Sequence, residues 1–270
     1  MQKKIKSFDN TIINYDISLG KNKKNFLIFL HGVGGNLKVW KEIRLFFHKI
    51  GISTIAVDLR GHGKSGKPRN SKDYLLENFA KDINEIIKKE KVYRPILIGH
   101  SLGTMVTLTF HRLYPKISKK YVLISGAYKI PRKLKLVIKN VLSFASSFDK
   151  DIKKTVSRKT KNYFPTYDFV RNVREYNVIT FVQEIMHNSI KAMLFIFENM
   201  TKFNEKKILR SIGKPVLILS GDKDSIINIS NSKKLHKLIK NSQLKIFPLG
   251  NHEIITTIPK EVSEEILSFI

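Results

Sequence analysis

Apolar and polar positions along this chain switch repeatedly between two rhythms. Residues 3–19 alternate around Asp9-Asn10, the period-two pattern of an antiparallel hairpin. Residues 25–30, Asn-Phe-Leu-Ile-Phe-Leu, are a continuous apolar run, as expected of a strand covered on both faces. Residues 37–50 then follow the helical period, with Trp40, Ile43, Phe46 and Phe47 on one face. The exchange repeats as a strand over 52–57, a helix over 74–89, a strand over 95–98, a helix over 102–113 and a strand over 121–126. Such alternation predicts an α/β protein whose sheet is mostly parallel and wound on both faces.

At residue 127 the rhythm stops. Helix-like segments cover 131–144, 148–161, 167–176 and 178–200, and they carry Phe181, Met186, Met193, Phe195 and Phe197. Residues 127–205 therefore read as an all-helical lid inserted after the sixth strand, over the sheet edge where ligands bind. Its aromatic residues are expected to pack lid helices together, with a few lining an apolar pocket for a small-molecule substrate. The α/β pattern resumes with a strand over 214–220, a helix over 230–239, a strand over 243–247 and a helix over 259–270. The core domain is thus assigned to 1–126 and 206–270.

Composition narrows the chemistry. The 270 residues contain no cysteine, which excludes disulfides, thiolate metal sites and cysteine nucleophiles. Met1-Gln2-Lys3-Lys4-Ile5-Lys6 lacks the apolar run of a signal peptide, and Lys or Arg interrupts every apolar stretch well short of a membrane span. A cytoplasmic protein is expected. Fifty basic against 22 acidic residues give a net charge of +28. The basic residues are spread along the whole chain and no nucleic-acid module is visible, so the charge reads as compositional and no nucleic-acid partner is expected. One basic segment is open to two readings. Arg132, Lys133, Lys135 and Lys139 alternate with Leu134, Leu136, Val137 and Ile138, which suits a solvated lid face or a weak contact with an anionic membrane surface.

The candidate chemistry centres on Gly99-His100-Ser101-Leu102-Gly103, where a buried strand turns sharply into a helix. A β-carbon at either glycine would collide with the neighbouring turn, and Ser101 would stand at the apex as a nucleophile. A serine hydroxyl needs a base, and the base needs a partner that fixes its tautomer. His252 and Asp224 each follow a late strand directly, at the same sheet edge, and the order Ser101, Asp224, His252 suits a triad on such a sheet. Two backbone donors are needed for the developing oxyanion. Leu102 follows the nucleophile, and Val33 lies in the glycine-rich loop His31-Gly32-Val33-Gly34-Gly35. His31 and His62 read as loop-building residues.

Together with Trp40, Asp58-Leu59-Arg60-Gly61-His62-Gly63-Lys64-Ser65, Gly221-Asp222-Lys223-Asp224 and Gly250-Asn251-His252, these pieces resemble the α/β-hydrolase fold family of esterases, lipases, carbon–carbon bond hydrolases and cofactor-free haloperoxidases. The resemblance implies nucleophile Ser101, base His252, and acid Asp224 with Asp222 as the fallback. It also implies oxyanion N–H groups at Val33 and Leu102, no cofactor and no metal. Asp58 and Arg60 match a loop in which a charged pair would brace the turn. Asn251 stands where many relatives have glycine, and its tolerance of left-handed backbone should preserve the loop. The implied activity is serine-dependent hydrolysis of a small carboxylic ester. Carbon–carbon bond hydrolysis and monoacylglycerol-type lipase action use the same triad, and a non-catalytic ligand receptor is the alternative from another class.

Overall fold

The computed structural model describes residues 1–147 and 189–270. Eight strands form one sheet in the order β1-β2-β4-β3-β5-β6-β7-β8. β1 (Gln2–Lys6) and β2 (Ile12–Ser18) are the antiparallel hairpin expected from the alternation at 3–19. β2 pairs antiparallel with β4 (Ile52–Val57). Every later pairing is parallel, through β3 (Asn22–Leu30), β5 (Ile96–His100), β6 (Lys120–Ile124), β7 (Val216–Gly221) and β8 (Ser242–Phe247).

Helices are numbered here in chain order among the described residues: α1 (Lys41–Lys49), α2 (Leu76–Lys89), α3 (Leu102–Leu113), α4 (Arg132–Ser147), α5 (Ile190–Lys202), α6 (Lys206–Leu209), α7 (Ser230–Leu238), α8 (Ile254–Thr257) and α9 (Pro259–Phe269). The continuous apolar strands follow from two separate cores. Leu27, Phe29, Ile96 and Ile98 pack on the face that holds α1 and α9, whereas Ile28, Leu30 and Leu97 pack on the face that holds α2 and α3. Trp40 is fully buried with its ring 5.0 Å from that of Phe29. Burying each such ring contributes about 1.5–3 kcal/mol, which explains why the helical period at 37–50 is anchored here. The first turn of that segment, Leu37–Trp40, is a 3₁₀ turn capped by the Asn36 side chain.

Strand order positions the site. β3 has β4 on one side and β5 on the other, so the connections after β3 and β5 leave in opposite directions. Such a switch opens a crevice at the carboxyl ends of the two strands. The loop beginning at His31 and the turn at Ser101 both lie there.

Between β6 and β7 the described residues hold α4 and α5, where helices were expected over 131–144 and 178–200. The helices expected over 148–161 and 167–176, with Phe181 and Met186, lie outside the described residues. The two ends of the segment are tied by an isolated antiparallel bridge between Lys129 and Asn204 and by Glu205 N–H donating to the Tyr128 carbonyl at 2.9 Å. α5 rests on the loop after β4: the Asn199 amide donates to the Ser71 carbonyl at 2.9 Å, and Ser71 Oγ donates to Glu198 at 2.6 Å. No helix among the described residues is long and apolar enough to cross a membrane.

Candidate active site

Ser101 sits between β5 and α3 with φ 50° and ψ −108°, a conformation that few non-glycine residues adopt. The turn is held by Ser101 N–H donating to the Ile124 carbonyl and Thr104 N–H donating to the Ser101 carbonyl, both at 3.0 Å. A β-carbon on Gly99 would strike the Gly103 carbonyl, as the sharp turn requires. One on Gly103 would instead strike the Leu30 carbonyl of β3. The second glycine therefore lets α3 approach the neighbouring strand rather than its own turn.

Asp224 and His252 follow β7 and β8. His252 Nδ1 lies 2.8 Å from Asp224 Oδ2, and both side chains are buried. The other carboxylate oxygen accepts N–H bonds from Ile226 at 2.9 Å and Ile227 at 2.7 Å. With both oxygens engaged, the carboxylate cannot rotate away, and the proton on Nδ1 leaves Nε2 as the basic nitrogen of the ring. Asp222 is exposed. His100, next to Ser101, is bonded through Nε2 to the His252 carbonyl at 2.9 Å, with the two rings 5.0 Å apart. One side chain thus ties the serine turn to the histidine loop.

The loop after β3 closes the arrangement from the other side. A β-carbon at Gly32 would lie 3.0 Å from His100 Nδ1 and 3.3 Å from Ser101 Cβ, so a side chain here would press on the serine turn. Among the described residues, neither Val33 N–H nor Leu102 N–H donates to a protein acceptor. Leu102 opens α3, whose first N–H groups have no acceptor within the helix. His31 shapes the loop: its Nδ1 donates to the Gly32 carbonyl at 2.7 Å and its Nε2 accepts from Leu59 N–H at 3.0 Å. Burial pushes its pKa down to about 4, which keeps it neutral in these roles. His62 packs edge-on against it, 4.9 Å between rings, and burial holds it neutral as well.

The charged pair expected between Asp58 and Arg60 does not form. Asp58 accepts from Leu37 N–H, Lys64 N–H and the Asn14 amide, each at 2.8 Å, and so fastens the loop after β3 to the loop after β4. Arg60 turns the other way, fully buried, onto Asp82 at 2.6 and 2.7 Å and Asp9 at 2.9 Å. Both residues lie beyond the end of β4, and each is satisfied by partners from other segments, which leaves neither to brace the other. Asn251 also departs from expectation. The left-handed residue of its loop is Leu249, with φ 58°. Asn251 instead accepts Glu253 N–H on its side-chain oxygen at 2.9 Å, at the start of α8.

Glu253 is the residue that sequence reasoning passed over. It is buried, and its carboxyl lies 3.8 Å from His100 Nε2. Burial pushes its pKa up to about 7, against the pull of His252. Its position directly after His252 was the available signal. Among the described residues, His100, His252 and Glu253 form the one group of three side chains whose ligand-type atoms lie within 4.8 Å of one another. His252 Nδ1 and His100 Nε2 are already engaged by Asp224 and by the His252 carbonyl.

A crevice at the strand-order switch, a strained serine turn and a buried His–Asp pair at the next strand ends define an α/β hydrolase architecture. The family model for the alpha/beta hydrolase fold matches residues 25–257, and the chain belongs to that family. Protein ABHD8 of Bos taurus is 25% identical over 256 residues, covering 90% of this chain and 55% of the bovine protein, so the chain spans about half the length of that relative. The bifunctional esterase/perhydrolase DCH of Acinetobacter calcoaceticus is 27% identical over 257 residues, covering 90% of this chain and 91% of the relative. Among solved structures, an esterase from Exiguobacterium antarcticum superposes with a TM-score of 0.79 at 20% identity, covering 100% of this chain and 99% of its own.

Proposed function

We propose that this α/β hydrolase is a serine hydrolase of small-molecule carboxylic esters. The observation that carries the reading is the buried 2.8 Å contact between His252 and Asp224 at the strand ends beside the Ser101 turn. Ser101 Oγ attacks the ester carbonyl while His252 Nε2 takes its proton, and Asp224 stabilises the resulting imidazolium. The N–H groups of Val33 and Leu102 hold the oxyanion. Its collapse breaks the ester C–O bond, with the proton on His252 passing to the departing alcohol. Water, deprotonated by the same histidine, then attacks the acyl-enzyme, releases the acid and restores Ser101. These parts suffice without a cofactor. The esterase named among the relatives supports the reading without fixing a substrate.

Hydrolysis of p-nitrophenyl esters of graded acyl length by wild type and Ser101→Ala tests it. Turnover abolished by the substitution is expected. Turnover that survives in Ser101→Ala would overturn the assignment of the nucleophile.

A further inference from the structure

The hydrolytic scheme uses the loop after β7 only for Asp224, yet that loop also borders a cavity of about 1070 Å³. This is slightly above the roughly 300–1,000 Å³ typical of small-molecule sites. Its walls are predominantly apolar and include Ile138 of α4, Met193 and Phe197 of α5, and Ile226 beside Asp224. Five cations also line it, and they come from separate elements: Lys129 before α4, Arg132, Lys133 and Lys135 on α4, and Lys234 on α7. Among the described residues of the lining Asp224 is the sole acid, and both of its oxygens are taken by His252 and two backbone N–H groups. None of the five cations forms an ion pair among the described residues.

An apolar cavity whose described lining carries five cations and one fully engaged carboxylate is mismatched to a wholly neutral ligand. Four of these cations are exposed and Lys135 is half-buried, so they form a solvated cationic rim that a ligand carrying an anion past the apolar walls would meet. We propose that the cavity takes the acyl part of the ester, and that this acyl group is an apolar chain ending in a carboxylate, held by Arg132 of α4 and Lys234 of α7. The proposal rests on the ester-hydrolase reading. It places the scissile carbonyl at Ser101 and the far end of the chain beyond Asp224.

The test compares p-nitrophenyl esters of straight-chain acids with ω-carboxy esters of the same carbon number, using wild type, the Arg132→Glu/Lys234→Glu double variant and Lys41→Glu. Lys41 is an exposed residue of α1, outside the cavity lining. Wild type is expected to favour the ω-carboxy ester in kcat/KM by about tenfold at low ionic strength. That preference should shrink as salt screens the cations. It should vanish or invert in the double variant and persist in Lys41→Glu. Ser101-dependent turnover with no preference for the carboxylate, or a preference that survives in the double variant, would overturn the cavity assignment and leave the hydrolase reading standing. Absence of turnover on both series, together with absence of fluorophosphonate labelling, would overturn the underlying reading and the proposal with it.

Discussion

His252 Nδ1 and Asp224 Oδ2 are 2.8 Å apart, with side chains 2% and 0% exposed. An amide in place of the carboxylate would keep the shape, lose the charge that stabilises the imidazolium, and offer a donor to the wrong side of the ring. Asp224→Asn is therefore expected to lower kcat by about 10³–10⁴ while leaving the fold intact. Asp222→Asn, altering an exposed side chain, should change kcat by less than about twofold. Steady-state ester hydrolysis by the two variants separates the assigned acid from its fallback.

The serine turn stores strain. At φ 50°, Ser101 carries a β-carbon in a region that favours glycine. Ser101→Gly should raise the unfolding free energy by about 1 kcal/mol while abolishing turnover. Ser101→Ala, which keeps the β-carbon, should abolish turnover without that gain. Urea denaturation of the two variants checks the difference, and equal stabilities would show that the turn is unstrained.

Glu253 predicts an unusual pH dependence. Its folded pKa of about 7 lies above the usual 4.5, because burial disfavours the carboxylate. Below pH 4.5 the group is protonated in both states and has no effect. As pH rises toward 7 the unfolded chain ionises first, so this group's contribution to stability is lost by up to about 3 kcal/mol. His100, the facing group at 3.8 Å, acts in the opposite sense and is common to both proteins: burial lowers its pKa to about 3, so stability is lost as pH falls below about 6.5. Glu253→Gln should therefore gain stability relative to wild type between pH 5 and pH 8. Chemical denaturation at those two pH values measures it, and a pH-independent difference would contradict the assigned shift.

Arg60 and Asp82 make a fork-to-carboxylate pair with both side chains buried. Removing Asp82 takes the bidentate partner from the buried guanidinium and leaves Asp9 as its remaining carboxylate, so Asp82→Ala should destabilise the protein by about 3 kcal/mol, the lower end for a broken buried pair. Thermal unfolding is the check.

The placement of Ser101, Asp224 and His252 was legible in the sequence because each lies just beyond a strand, and a parallel sheet delivers all such positions to one edge. Leu102 and Val33 are assigned as oxyanion donors on backbone position alone. The partners of Arg60 were not: Asp9 and Asp82 lie 51 and 22 residues away, and only the packing of the hairpin against α2 brings them together. The roles of Asn251 and His100 were hidden for a related reason. Each depends on which backbone group a loop presents, whether the Glu253 N–H or the His252 carbonyl, and loop geometry leaves no periodic signal.

The central claim is that Ser101 is a nucleophile activated by His252. Fluorophosphonate labelling of wild type, Ser101→Ala and His252→Ala, followed by intact mass and peptide mapping, addresses it most directly. The account predicts a single adduct on the peptide containing Ser101 in wild type, none in Ser101→Ala, and labelling at least about 10³-fold slower in His252→Ala. An adduct on another residue, or labelling of folded His252→Ala at the wild-type rate, would contradict it.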